Sequence, residues 1–595
     1  MFNKPELNFE EVIFDQWAGD LKKLERPLPA AAFWLVSVGG LLIIVLMIVR
    51  TLVLNVYFGD FYKRRAVINV NQEFVIPAHR GVIVDRFDDQ LVKNLPSFSV
   101  SINKAELLRG QNRNAILDEV AKVLGIPLEE LYKLIRGVDL EKESRVLVAR
   151  NISLEQALDL RSLKNNAVVV EDDYRRDYKD PFVFAHILGY TGLIDWSHSI
   201  EGKTGIEDFY DNQLRGVDGA YVIFRDARGN ALQQKIVREA QPGSSVKVTI
   251  DGEFQKYFYE RFQQGLTALE REAGVGIAMN PKTGEILALV SFPSFNNNEP
   301  AKFLSKSNQP LFNRPVSGTY SPGSTIKPLV ALAALVERVA TPSFEVFSPG
   351  YLEVANPYDP ENPSRFADWR AHGDVNVRSA LARSSNVYFY IVGGGYKNIK
   401  GLGIDKLNNY WKKFGFHQKT GIDLPSENIG FLPDPEEKGK RTGQPWRIGD
   451  TYNVSIGQGD LTVTPTRLLS MIAAIANNGQ MVKPHLLMDE EPITVFDFSE
   501  WEDELKEVQR GMRDAVAQNY GTANLLFDLP YRTAGKTGSA QVANNKKTNA
   551  FFTGYGPFDD PRIVILILVE DAKEGSLNAV PIAKDVLRWY YDHRL

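Results

Sequence analysis

The chain has 595 residues, too many for one ordinary core, so two or more domains are expected. Its 69 basic and 74 acidic residues leave a formal charge of -5, which provides no basic footprint for nucleic acid. It contains no cysteine, which excludes disulfides, cysteine nucleophiles and thiolate metal sites.

Residues 1–29 read as a short leader, with Ile13, Trp17, Leu21 and Leu24 spaced as on an amphipathic helix. Residues 30–49 carry no charge and end at Arg50. At about 1.5 Å per residue a helix of that length spans a bilayer core of about 30 Å. Pro27 and Pro29 block a helix before it, and no small-x-small cleavage site precedes Arg50. The segment is therefore read as a retained anchor. Charge does not orient it: Lys22, Lys23 and Arg26 flank one side, while Arg50, Lys63, Arg64 and Arg65 flank the other.

From residue 58 to about 240, short strand-like runs alternate with two helical patterns, around Ile116–Leu134 and Leu154–Leu163. A boundary is expected near Gln241-Pro-Gly243, before the alternating run Val246–Ile250. Residues 274–290 predict a hairpin turning at Asn280-Pro-Lys-Thr-Gly284. Strands are predicted again over 549–554 and 563–569, and a helix over 581–591. Early and late strands with helices between them argue one α/β domain over 245–595.

The chemistry is concentrated in Ser324-Thr-Ile-Lys327-Pro328, which follows a Pro-Gly turn and opens an apolar helix. Positions i and i+3 share a helix face, and a hydroxyl beside an amine is a serine nucleophile that needs no histidine. Free N–H groups at the helix start favour developing negative charge, and partial desolvation lowers the lysine pKa. Ser-x-x-Lys alone is weak, since it recurs at Ser101-Lys104 and Ser244-Lys247. On a strand, however, Ser244 and Lys247 would face opposite ways.

Ser384-Ser385-Asn386 lies between a helical stretch over 377–383 and an aromatic helix. A second hydroxyl can relay a proton, and a carboxamide can hold both a substrate amide and the lysine. Lys-Thr-Gly occurs four times, starting at Lys203, Lys282, Lys419 and Lys536. Only the last, Lys536-Thr537-Gly538-Ser539, reads as a strand downstream of both other motifs, and such a strand can lie along a peptide substrate. Lys536 would attract a carboxylate and help keep Lys327 neutral, and the N–H groups of Ser324 and Ser539 could form an oxyanion hole.

These three motifs, in this order, are the penicilloyl-serine transferase set, and the chain closely resembles a class B penicillin-binding protein over nearly its whole length. Arg80-Gly-Val-Ile-Val-Asp85-Arg86, Arg176-Asp-Tyr178, His186-Ile-Leu-Gly189-Tyr190 and Gly205-Ile-Glu207 are similar to that family's pedestal. Trp446-Arg-Ile-Gly-Asp450 and Ser455-Ile-Gly457-Gln458-Gly459 resemble the elongation type, penicillin-binding protein 2, rather than the division type.

The resemblance implies a β-lactamase-like α/β domain with a five-stranded antiparallel sheet, an elongated α+β pedestal over 58–240 and one transmembrane helix. It implies D,D-transpeptidation of peptidoglycan stem peptides. Ser324 would be the nucleophile, Lys327 its base and Ser384 the proton relay, with Asn386 and Lys536 completing the site and Thr537, Gly538 and Ser539 binding substrate. β-Lactams would acylate the same serine.

It further implies a RodA-type glycosyltransferase and elongation scaffold proteins as partners, and an extracytoplasmic catalytic part on the bacterial plasma membrane. No cofactor is implied. Some relatives carry a metal near Asp368 and His372, in some cases on a cysteine, and with no cysteine here none is expected. Ser539 stands where many relatives have threonine, and the hydroxyl is kept. Two rival readings share the motifs: a membrane-anchored β-lactam sensor or hydrolase, and a non-catalytic scaffold that activates a glycosyltransferase.

Overall fold

A computed structural model describes residues 30–59, 73–110, 112–137, 145–193, 200–225, 231–356, 359, 361–542 and 547–595. The leader pattern at Ile13–Leu24 and the basic flanks at 22–26 and 63–65 lie outside the described residues. The chain divides into two compact units, one made of residues 1–76 and 219–239, the other of 77–218 and 240–595.

In the first unit, helix α1 (Ala30–Leu52) continues into a wider turn over Val53–Tyr57. Together they form a helix long and apolar enough to cross a membrane. Leu35, Leu41 and Met47 all point outward and uncovered, and a helix apolar all round needs an apolar surrounding. The same unit holds a three-stranded antiparallel sheet of Glu73–Ile76, Gly219–Arg225 and Ala231–Arg238.

The second unit opens on a five-stranded sheet centred on Gln90–Asn103, which pairs antiparallel with Arg145–Ile152, Val168–Tyr178 and Ile83–Val84. Val246–Lys247 then adds to Ile83–Val84 in parallel. The helical pattern expected over 116–134 is two helices, Arg113–Leu124 and Leu128–Arg136. Gly125 ends the first in the left-handed region and Pro127 starts the second, so the sequence carried a stop and a start that the apolar spacing ran across. The next helix, Leu154–Ser162, begins at a Ser153/Gln156 capping box. The centre of this region is charged: buried Glu207 takes Arg80 at 2.6 Å and Arg176 at 2.8 Å.

Five further strands form the sheet that carries the site: β1 (Gly274–Met279), β2 (Ile286–Phe292), β3 (Ala534–Val542), β4 (Lys547–Gly556) and β5 (Ile563–Val569). Their spatial order is β2-β1-β5-β4-β3, antiparallel throughout, with the turn over 280–284 closing the β1–β2 hairpin as expected. Every residue of β1, β2 and β5 is buried, so both faces of the sheet are covered.

Alternate residues of β5 divide between two cores. Ile563, Ile565 and Ile567 pack with Phe254, Phe258 and Phe262 of helix α2 (Gly252–Ala268) and with Ile582 of the C-terminal helix Val580–Arg594. Val564, Leu566 and Leu568 belong to a core shared with helix α3 (Lys327–Val336) and helix Pro465–Ala476. The period of two in an apolar strand thus holds helices on either side, and β3 is left as an edge.

Candidate active site

The first motif begins as a 3-10 turn, Gly323–Ile326, and α3 starts at Lys327. Gly323 has φ of 54°, and a Cβ there would sit 2.9 Å from the Ser539 carbonyl oxygen of β3. Glycine therefore lets the first and third motifs touch. Gly538 does the same from the strand side, where a Cβ would fall 2.9 Å from Thr325 Cγ2. Gly323→Ala is accordingly expected to separate the motifs and cut acylation by about 100-fold, the cost of displacing reacting groups by about 1 Å. Acylation kinetics check this, and a wild-type rate would contradict it.

The second motif is a joint between helices α4 (Val377–Arg383) and α5 (Asn386–Gly394). Ser384 ends α4 with φ of 56°, a left-handed conformation that a non-glycine residue adopts only when its surroundings impose it. Ser385 is the N-cap of α5 and accepts a hydrogen bond from the Tyr388 N–H.

This joint receives both lysines. Lys327 Nζ donates to the Ser384 carbonyl oxygen at 2.8 Å and to Asn386 Oδ1 at 2.7 Å, and lies 3.4 Å from Ser384 Oγ. Lys536 Nζ donates to Ser384 Oγ at 2.7 Å and to the Thr537 carbonyl oxygen at 2.8 Å. One hydroxyl thus stands between two amines.

Both lysines are fully buried. Burial lowers Lys327 from 10.5 to about 7, while the negative charge of Asp368 pulls the other way. Burial also lowers Lys536 well below its usual value, and the charge of Lys327 lowers it further. Burial is the main cause that lowers each lysine, and two buried ammonium groups this close disfavour each other's charge, as the sequence led one to expect.

The cleft in front of these groups has a volume of about 1260 Å³ and is lined by Ser324, Ser384, Asn386, Thr537, Gly538 and Ser539. The eight residues expected to form the site are thus brought together, six on the cleft wall and two lysines behind it. Among the described residues no hydrogen bond reaches Ser324 Oγ; Lys327 is held by the second motif instead. Apo geometry of this kind tightens when substrate arrives.

The other Ser-x-x-Lys and Lys-Thr-Gly matches lie elsewhere. Ser101 is buried in the long strand Gln90–Asn103, Lys203 pairs with Glu201 and Lys282 with Asp560.

The sequence reading missed several groups at the cleft. Thr522 Oγ1 accepts from Thr537 Oγ1 at 2.7 Å, and Gln458 Nε2 donates to the Ser539 carbonyl oxygen at 3.3 Å. Thr522 had no local signal, whereas Gln458 stood in a noticed motif without a role. Asp368 is the third: its Oδ2 accepts from Ser385 Oγ at 2.8 Å and the Val387 N–H at 3.0 Å. Burial alone would raise its pKa, but His372, Lys327 and the N–H groups of Val387 and Asn386 outweigh it and hold the carboxyl well below the usual range. The sequence reading places Asp368 and His372 in the region where the resemblance suggests that some relatives carry a metal. Here Asp368 Oδ2 accepts from protein donors, both ring nitrogens of the buried His372 lack a hydrogen-bond partner, and no cluster of three or more His, Cys, Asp or Glu occurs among the described residues.

Residues 274–588 match the penicillin binding protein transpeptidase domain, and residues 75–248 match the penicillin-binding protein dimerisation domain. The chain belongs to this family. It is 31% identical to the peptidoglycan D,D-transpeptidase MrdA of Haemophilus influenzae, covering 96% of this chain and 93% of that protein. It is 30% identical to MrdA of Acinetobacter baumannii, covering 93% and 86%. Among solved structures it is similar to penicillin-binding protein 2 of Helicobacter pylori in complex with MreC, with a TM-score of 0.76, 26% identity, 88% of this chain and 100% of that one. It also resembles Pseudomonas aeruginosa penicillin-binding protein 2 in complex with WCK 5153, with a TM-score of 0.62, 28% identity, 87% of this chain and 98% of that one.

Proposed function

We propose that this chain is a peptidoglycan D,D-transpeptidase that cross-links stem peptides during cell elongation. The observation that carries this reading is the placement of Ser384 Oγ between Lys327 and Lys536, directly behind the serine at the mouth of α3. Lys327, lowered to about 7, takes the proton of Ser324 as its Oγ attacks the carbonyl carbon between the two terminal D-alanines of a donor stem peptide. Negative charge on the carbonyl oxygen is met by the N–H groups of Ser324 and Ser539, at the start of the helix and on the edge strand. Ser384 Oγ carries the proton to the departing D-alanine amine. The amine of a second stem peptide then attacks the ester, forms the cross-link and returns Ser324. Asn386 and the β3 backbone at Thr537–Ser539 align the donor peptide as an added strand.

The rest of the proposal is supported by the apolar helix and by the relatives. Helix α1 anchors the chain in the bacterial plasma membrane by a single pass, with the pedestal and the transpeptidase part outside the cytoplasm and meeting near residue 245. The neighbour solved with MreC supports an elongation scaffold protein as a partner; a RodA-type glycosyltransferase beside it and β-lactams as inhibitors at Ser324 are part of the same proposal. The experiment is labelling with a fluorescent penicillin. Wild type should form a stable adduct and Ser324→Ala none, while keeping its thermal midpoint. No labelling of the wild type, or an adduct that turns over within seconds, would defeat the proposal.

A further inference from the structure

The two lysines and Ser384 depend on a joint that would not hold itself. Ser384 is left-handed, and its neighbours must fix it. Beside the joint lies Asp368, which bonds the two residues on either side of Asn386 and comes from the segment between the first two motifs. That segment consists of two small ladders, Val346–Ser348 with Gly373–Val375 and Tyr351–Val354 with Ser364–Ala367. It is itself tied down, since the Asp368 N–H donates to the Gly350 carbonyl oxygen at 2.8 Å and the His372 N–H to that of Ser348 at 3.0 Å.

The Asp368 side chain is fully buried. Its Oδ2 accepts three hydrogen bonds, from Ser385 Oγ at 2.8 Å, the Val387 N–H at 3.0 Å and Ser348 Oγ at 3.3 Å. Its Oδ1 accepts from the Trp369 N–H at 2.9 Å and lies 3.5 Å from His372 Nε2. Two of these donors, Ser385 and Val387, flank Asn386, whose Oδ1 holds Lys327. Charged hydrogen bonds of this kind are about twice as strong as neutral ones and fix geometry closely.

We propose that Asp368 is a positioning residue for the transpeptidase reaction, a carboxylate clamp that locks the Ser384–Asn386 joint onto Lys327. The Asp368 side chain is fully buried and makes no hydrogen bond to Ser324, Lys327 or Ser384 among the described residues. It acts through Asn386, which it orients, and through its charge, the one group that opposes burial at Lys327. The inference rests on the proposed function.

The test uses the full chain in detergent and reads the second-order rate of acylation by a fluorescent penicillin against pH, together with the thermal midpoint. Asp368→Asn replaces one acceptor oxygen by a donor and removes the charge. Its acylation rate should fall about 100-fold, the cost of displacing reacting groups by about 1 Å. The rise of the remaining rate with pH should also move to lower pH, because Lys327 loses its nearby anion; a purely structural role would not move that limb. Should Asp368→Asn fail to fold, Ser348→Ala and Ser385→Ala each remove one donor, and each should slow acylation several-fold. Zinc or a chelator should leave the thermal midpoint of the wild type unchanged. Wild-type acylation in Asp368→Asn, or in both serine variants, would overturn the proposal, as would a zinc-dependent rise in midpoint that His372→Ala abolishes. A wild-type protein that does not react would instead overturn the proposed function.

Discussion

Replacing Lys327 by methionine is expected to slow acylation by about 10²–10⁴, the range over which a positioned base contributes. Methionine keeps an unbranched stem inside the core, with sulfur in place of the Cδ methylene, and lacks the terminal nitrogen. The thermal midpoint should change little, because the desolvation cost of the ammonium disappears along with its bonds to Ser384 and Asn386. In the wild type the acylation rate should rise with pH through about 7. The sign follows from the direction of the shift: below that value Lys327 holds its proton and cannot accept another, and above it the free amine is present. Stability should run the same way. Between about 7 and the ordinary lysine value of 10.5, the unfolded chain holds a proton that folded Lys327 has released. Folding then gains stability as pH rises across that window and is weakest below it. A rate independent of pH from 5 to 9, or a Lys327→Met protein that acylates normally, would remove Lys327 from the role of base.

The catalytic part was legible wherever the signal was local. Ser324 and Lys327 lie within one turn, the Ser384–Asn386 joint sits between two helical patterns, and Lys536–Ser539 alternates as a strand. Each of these can be read from neighbours in the chain, and chain order separated them from their decoys. What could not be read was whatever depends on contacts across the fold. Asp368 stood out in the sequence only through the resemblance, as lying where some relatives carry a metal, and its bond to Ser385 appears once the ladder from Val346 to Val375 brings it there. Burial of Lys536 requires β3 to close over Ser384, and only the fold shows that burial is the main cause lowering it. The split of the predicted 116–134 helix was a different failure. Gly125 and Pro127 were visible, and the apolar spacing on both sides hid them.

Replacing Glu207 by alanine is expected to be the most destabilising single change in the pedestal region. Glu207 is fully buried and takes Arg80 Nε at 2.6 Å on one oxygen and Arg176 at 2.8 Å on the other. The Tyr178 hydroxyl adds a third contact at 3.3 Å. Arg80 also reaches Asp211 at 2.8 Å, but Arg176 has no second carboxylate among its ion pairs in the described residues. A buried ion pair adds little net stability, since both charges lose water, but stranding one partner costs about 3–5 kcal/mol. Glu207→Ala strands Arg176 and half of Arg80, so chemical denaturation of the region should show a loss of that size. Adding Arg176→Met to Glu207→Ala should then recover stability rather than lose more, because the second change removes the charge that the first left unpaired. A loss under about 0.5 kcal/mol, ordinary for a surface substitution, would mean that water reaches the cluster. Acylation at Ser324 should persist in whatever fraction of the variant remains folded, since none of these five residues lines the cleft.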